Sequence, residues 1–236
     1  MDTDKFIYVI SHHLRTPITV IGGYLSMLSD GSLGELSQNQ KNVLSKMQGS
    51  TKTLSNFITS LLFVSRLETG KYFLSPDKAN LLDIANEVIK DFQPTFVASN
   101  LKLIYEPPAE FPTTLLDVGK INLVIWSLID NAVRFSKTGG SITIELKNEV
   151  QELSFVIRDD GIGVPEGDKS SLFTKFYRAN NAKVAYPDGI GMGLYLTKNV
   201  IESHKGEIVF ESVERQGSTF GFKLPILNEV PEQTSN

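Results

Sequence analysis

The sequence predicts an all-α helical hairpin followed by an α+β two-layer sandwich. Three observations carry this. Up to residue 69, apolar residues recur at spacings of three and four with a single Gly- and Ser-rich interruption. From residue 71 onward, helix-like stretches alternate with strand-like alternation, and glycine becomes frequent after residue 139. A chain of 236 residues with 41% hydrophobic content is long and apolar enough for two domains.

The first helix is read from Ile7, Ile10, Leu14, Pro17, Ile21, Tyr24 with Leu25, and Leu28. The second is read from Leu44, Met47, Thr51, Leu54, Ile58 and Leu61. The string SDGSLGELSQ between them is a turn by composition. Pro17 lies inside the first pattern and is expected to kink that helix just after His12. A lone hairpin buries two apolar stripes poorly, so residues 1–69 ask for a second copy and a dimeric four-helix bundle. In the second part, helices are expected at 79–97, 119–135 and 191–204, and strands at 141–146, 153–158, 207–211 and 219–224. This domain spans 71–226. The polar string after Pro225 makes 227–236 a flexible tail.

Composition excludes several classes. Without cysteine there are no disulfides, zinc ribbons or thiol nucleophiles. A net charge of −4 argues against a nucleic-acid binder acting through bulk positive charge. The longest apolar run, around Leu123–Ile129, is broken by Ser127, far short of the roughly 20 residues a membrane span needs. The start, MDTDKF, is acidic and polar, unlike a signal peptide. A cytoplasmic location is expected, as a free protein or as the cytoplasmic portion of a membrane-anchored one.

With Ile7, Leu14, Ile21 and Leu28 on one seam position and Ile10 and Pro17 on the other, His12 falls on the outward face of the first helix. Taken alone it is a solvated histidine beside a proline. The string Ser11-His12-His13-Leu14-Arg15-Thr16-Pro17, preceded by Phe6-Ile7, resembles the H-box of sensor histidine kinases, usually S-H-E-L-R-T-P. A neutral imidazole nitrogen is nucleophilic near pH 7, which suits a phosphoryl acceptor. The resemblance makes His12 that acceptor. His13 stands where the family has glutamate. It can accept a proton as a general base but carries no fixed negative charge. Thr16, one turn beyond His12, takes the position associated with dephosphorylating the partner.

No Walker-type loop is present. Four other clusters follow in order. Ser127, Asn131 and Arg134 share one helical face. There the Asn131 amide oxygen suits Mg²⁺, which takes few protein ligands when phosphates and water supply the rest; the plainer reading is an exposed stripe with an Asp130–Arg134 ion pair. Next, a strand runs into Asp159-Asp160-Gly161-Ile162-Gly163. A buried carboxylate there would accept from the amine of adenine and reject guanine; the plainer reading is an Asp-Gly turn. Leu172-Phe173-Thr174-Lys175-Phe176-Tyr177-Arg178 follows, and the polar Ala179–Asp188 reads as a mobile lid. Last come Gly189-Ile190-Gly191-Met192-Gly193-Leu194 before a helix, where backbone N–H groups suit phosphates, and Gly217-Ser218-Thr219-Phe220.

These clusters resemble the N, G1, F, G2 and G3 boxes of the same kinases, in the family's order and over essentially the whole chain. The resemblance implies a Bergerat (GHKL) ATP-binding fold, shared with gyrase and heat-shock chaperone ATPases: a mixed sheet backed by three helices. It implies that Mg²⁺ sits on Asn131. ATP is contacted by Arg134, Phe135, Asp159, Gly161, Gly163, Lys175, Arg178, Gly189, Gly191, Gly193, Leu194 and Thr219. Ser127 and Arg134 stand where the family often has Asn and Lys. The implied activity is transfer of the γ-phosphoryl group of ATP to His12, then to an aspartate of a response-regulator receiver domain, with phosphatase activity as a companion. The implied partners are a second copy through the hairpin and the receiver domain, with no nucleic acid. Two alternatives stand beside it: a nucleotide-binding pseudokinase with His13 as the lesion, and a Bergerat-fold ATPase in which the hairpin has no role.

Overall fold

The structure is a computed structural model that describes residues 3–70, 72–187 and 189–227; the side chains of 3–9, 12 and 68 lie outside the description, as does the tail from 228. The chain divides into two compact units, Met1–Phe73 and Leu74–Asn236.

The first unit is a hairpin of α1 (Thr3–Ser29) and α2 (Gln38–Glu68). In the turn, Gly31 and Gly34 adopt φ of 80° and 108°, and the Asp30 carboxylate accepts the Ser32 N–H at 2.9 Å. Ser37 opens α2 with a reciprocal capping box: its hydroxyl accepts the Gln40 N–H, and the Gln40 side chain accepts the Ser37 N–H at 2.9 Å. α1 runs as one helix through Pro17.

The packing seam differs from the sequence reading. Ser11, Ile18 and Leu25 are the buried heptad row, with Ile18 against Ile58 and Leu62. The expected row is open: Leu14 is 43% and Ile21 49% exposed. Ile10 is exposed too, as are Met47 and Leu54 on α2. The reason is geometric. A helix in a hairpin turns one stripe to its neighbour, and a helix carrying two apolar stripes does not announce which one.

The second unit contains β1 (Asp77–Asn80), α3 (Leu81–Ala98), β2 (Lys102–Tyr105), β3 (Thr113–Leu116), α4 (Val118–Phe135), β4 (Ser141–Asn148), β5 (Glu152–Asp159), a 3₁₀ turn (Glu166–Ser171), α5 (Asn180–Ala185), α6 (Gly193–Ser203), β6 (Glu207–Val213) and β7 (Gly217–Pro225). A five-stranded mixed sheet runs β2-β4-β5-β7-β6, with β2 parallel to β4 and every other pair antiparallel. β1 and β3 form a separate antiparallel ribbon. Each of the three strands absent from the sequence reading has only 4 residues, too few for alternation to show.

α4 lies between α3 and α6 and packs on β5, so the sandwich has a helix layer and a sheet layer. Ile121, Ile125, Leu128 and Ile129 of α4 are fully buried, as are Ile142, Ile144, Phe155 and Phe222 of the sheet. Phe155 and Phe222 stack at 5.6 Å. Burying each such side chain contributes roughly 1.5–3 kcal/mol. The N-terminus of α4 is tied to α6 by Asp117, whose N–H donates to His204 Nε2 at 3.0 Å. His204 Nδ1 faces the Val200 carbonyl at 2.8 Å, which fixes a neutral ring with its proton on Nδ1. Burial holds its pKa below the usual imidazole value. No helix among the described residues is long and apolar enough to cross a membrane.

Candidate functional site

Asp159 ends β5 at 6% exposure. Its Oδ1 accepts the Gly161 N–H at 2.8 Å. Burial raises its pKa to about 6, against the opposing hydrogen bonds from the Gly161 and Ser218 backbones. Gly161 is needed because a Cβ there would sit 2.0 Å from the Phe135 carbonyl oxygen. That carbonyl also accepts the Ile162 N–H at 3.1 Å, so Phe135 joins the end of α4 to the loop after β5 through its backbone. Gly163 has φ 60°, and a Cβ there would strike the Val213 carbonyl. Asp160 turns away and accepts the Ser141 N–H at 2.9 Å.

On α4, Ser127 is buried, and Asn131 and Arg134 are half-buried one and two turns on. A Cβ on Gly193, the first residue of α6, would lie 2.3 Å from Ser127 Oγ. The start of α6 therefore abuts the polar face of α4. Gly191 has φ 74°, and a Cβ there would meet the Tyr177 carbonyl at 2.4 Å. Leu194 follows in the first turn of α6, half-buried. Arg134 is held on two sides: its Nε pairs with Asp130 at 2.6 Å, and its guanidinium lies over the Tyr186 ring at 4.4 Å. Burial pushes the Asp130 carboxyl up despite this partner.

The segment read as a mobile lid is partly ordered as α5. Arg178 donates to the carbonyls of Ala182, Tyr186 and Pro187. Asp168 accepts the Tyr177 hydroxyl at 2.6 Å and the Asn180 N–H at 2.9 Å. Asn181 donates to the Gly163 carbonyl at 2.8 Å, bridging lid and glycine loop. Lys175 has its ammonium 5.3 Å from the Phe176 ring.

The structure thus brings together Asn131, Arg134, Phe135, Asp159, Gly161 and Gly163 with the glycines that open α6. It sets Thr219 apart. Thr219 is paired across the sheet with Arg158, which donates to its hydroxyl at 3.3 Å on the face opposite Asp159. Ser218 is the residue facing Asp159 across the ladder. Counting alternation along β7 from its buried phenylalanines would have found it. Tyr186, Asn181 and Asp168 left no local signal, because their roles come from contacts across turns. In the hairpin unit, His13 and Thr16 are exposed, and the side chain of His12 lies outside the described residues.

The donor set suits an adenine nucleotide. A buried carboxylate seeks a donor, and glycine-lined backbone at the start of α6 leaves room for phosphates. Among the described residues no group of three His, Asp or Glu could hold a metal unaided. Asn131 therefore fits Mg²⁺ only as one neutral oxygen ligand beside phosphates.

A family model described as "His Kinase A (phospho-acceptor) domain" matches residues 3–70. One described as "Histidine kinase-, DNA gyrase B-, and HSP90-like ATPase" matches residues 116–228. Sensor histidine kinase WalK of Bacillus subtilis (strain 168) is 30% identical over 97% of this chain and 38% of its own length. Adaptive-response sensory kinase SasA of Synechococcus sp. (strain JA-3-3Ab) is 27% identical over 94% of this chain and 59% of its own. The chain thus spans less than two thirds of these relatives. Among solved structures, full-length ShkA in complex with AMPPNP superposes with a TM-score of 0.65 at 20% identity, over 96% of this chain and 47% of that one. Acinetobacter baumannii histidine kinase AdeS superposes at 0.58 with 25% identity, over 92% and 98%.

Proposed function

The chain belongs to the sensor histidine kinases of two-component systems, and from that premise we propose that it carries out ATP-dependent phosphorylation of its own His12. The observation that carries the nucleotide half is the Asp159 carboxylate, buried behind Gly161. With its pKa near 6 it is ionised at neutral pH, and a carboxylate with about four lone-pair sites can take a further donor beside the Gly161 and Ser218 N–H groups. The exocyclic amine of adenine supplies one, whereas the carbonyl of guanine would leave the charge unpaired at high cost.

Residues 71–226 are the nucleotide-binding half in this reading, and 1–69 the acceptor half. The loop after β5 and the glycines before α6 seat base and phosphates, Arg134 turns from Tyr186 to the phosphates, and the lid excludes water. Asn131 would hold Mg²⁺, which supplies charge neutralisation on the phosphates when bound. In the transfer, a bond forms between a ring nitrogen of His12 and the γ-phosphorus. The bond from that phosphorus to the β–γ bridging oxygen breaks, and ADP leaves. Positioning and charge neutralisation carry such a reaction. His13 takes up the proton that the His12 ring releases. The phosphoryl group then passes to an aspartate of a response-regulator receiver domain, and Thr16 serves the opposing reaction, in which water attacks that aspartyl phosphate and releases the carboxylate and inorganic phosphate. The exposed row of Ile10, Leu14 and Ile21 supports pairing of two hairpins into a four-helix bundle.

The test is incubation with γ-labelled ATP and Mg²⁺ for the parent chain, His12→Gln and His13→Gln, followed by acid and base treatment. Acid-labile, base-stable label lost in His12→Gln is the expected result. Label lost in both variants gives His13 its part. An unlabelled parent that still binds ATP overturns the kinase reading and leaves a nucleotide-sensing scaffold.

A further inference from the structure

The stretch from Tyr177 to Pro187 is fastened to its own backbone. The Arg178 guanidinium donates from one nitrogen to the Pro187 carbonyl at 2.7 Å, and from another to the Ala182 carbonyl at 3.0 Å and to the Tyr186 carbonyl. The Ala182 carbonyl lies within α5 and also accepts the Tyr186 N–H at 3.0 Å, whereas the Tyr186 and Pro187 carbonyls lie just beyond the helix, where no further turn supplies a donor. The guanidinium also lies against Gly189, where a Cβ would meet its Nε, Cζ and Nη2 at 3.0–3.1 Å. Gly189 has no positive φ. Its value as a glycine here is the space it leaves for that group.

We propose that Arg178 is a positioning residue that latches segment 179–187 onto itself before any nucleotide arrives, acting through three backbone carbonyls rather than on a phosphate. The start of the segment is fixed separately, by Asp168 on the Asn180 N–H and by Asn181 on the Gly163 carbonyl. Arg178 closes its far end, at Tyr186 and Pro187. A planar fork reaches several carbonyls at once, whereas a lysine ammonium is a compact point charge on a flexible stem. Charge alone therefore does not replace it. That the latched segment covers a nucleotide rests on the kinase reading; the latch itself does not.

The test is limited trypsin digestion of the full chain without nucleotide. Cleavage after the exposed Lys183 is followed by mass spectrometry, with the exposed Lys147 at the end of β4 as the internal reference. Arg178→Gln and Arg178→Lys are expected to speed cleavage after Lys183 by at least about tenfold, since losing even one of the three charged hydrogen bonds is worth about that factor, with Lys147 unchanged. Gly189→Ala, which crowds the guanidinium while keeping it, is expected to fall between. Unchanged cleavage after Lys183 in both Arg178 variants overturns the latch. If Arg178→Gln opens Lys147 equally, Arg178→Lys and Gly189→Ala decide. In the nucleotide arm, Arg178→Lys should weaken ADP and a non-hydrolysable ATP analogue by the same factor. A loss confined to the ATP analogue overturns the proposal, since it reads a γ-phosphate contact. A parent that binds neither nucleotide defeats the kinase reading, while the digestion still decides the latch.

Discussion

Asp159→Asn should stabilise the nucleotide-free chain while weakening its grip on ATP. The carboxyl moves from 3.8 to about 6 on folding, with burial as the main cause. At about 1.4 kcal/mol per pH unit, the ionised group costs the folded state about 3 kcal/mol. The direction follows from proton counting. Unfolded Asp159 releases its proton near 3.8 and the folded group only near 6, so stability falls as pH rises through that window. Above it the whole cost stands. Asparagine has no charge to bury, and its amide oxygen can still accept the Gly161 N–H. The assay is urea unfolding followed by the fluorescence of Trp126, the one tryptophan, which packs on Phe92 at 5.8 Å inside the second unit. With urea slopes of about 1–3 kcal/mol per molar, the midpoint should rise by roughly 1–3 M at pH 7.5. The gap should close near pH 4. ATP binding should weaken roughly 10–100-fold, because hydrogen bonds to charged groups are worth about 1.5–3 kcal/mol. An equal or lower midpoint at pH 7.5, or a gap that persists at pH 4, refutes the reasoning.

Gly161→Ala should destabilise the second unit by about 1–3 kcal/mol in the same urea assay, because its Cβ has backbone 2.0 Å away and nothing flexible to displace. His204, held neutral by burial, should cost stability as pH falls below 6.5, since the unfolded ring takes up a proton there and the folded one resists. In the Asp159→Asn background the urea midpoint should therefore drop between pH 7 and 5.5, and adding His204→Gln should remove that drop. Ile21→Glu should convert a dimer to a monomer in light scattering while circular dichroism stays helical, because Ile21 is 49% exposed and its loss leaves the hairpin seam intact. His13→Glu should raise the rate of His12 labelling several-fold in the γ-labelled ATP assay, because a carboxylate beside the acceptor brings a fixed negative charge that an imidazole lacks.

The sequence by itself determined the class of each half and the order of its chemical clusters. Helical spacing over tens of residues is a strong local signal, and so is a strand that runs into Asp159-Asp160-Gly161. It also located α3, α4, α6 and four of the sheet strands, because each is long enough for its period to show. Tertiary structure alone decided the rest. It chose Ser11, Ile18 and Leu25 as the hairpin seam over the row of Leu14 and Ile21, since both rows are apolar and only the neighbour's position separates them. It put Ser218 beside Asp159 and Thr219 behind it, because strand register fixes which face a residue takes. It gave Arg178 to three carbonyls and Arg134 to Tyr186, contacts made by folding a loop back on itself. Periodicity records which residues share a face of one element; which faces meet is set by packing between elements, and no local pattern encodes that.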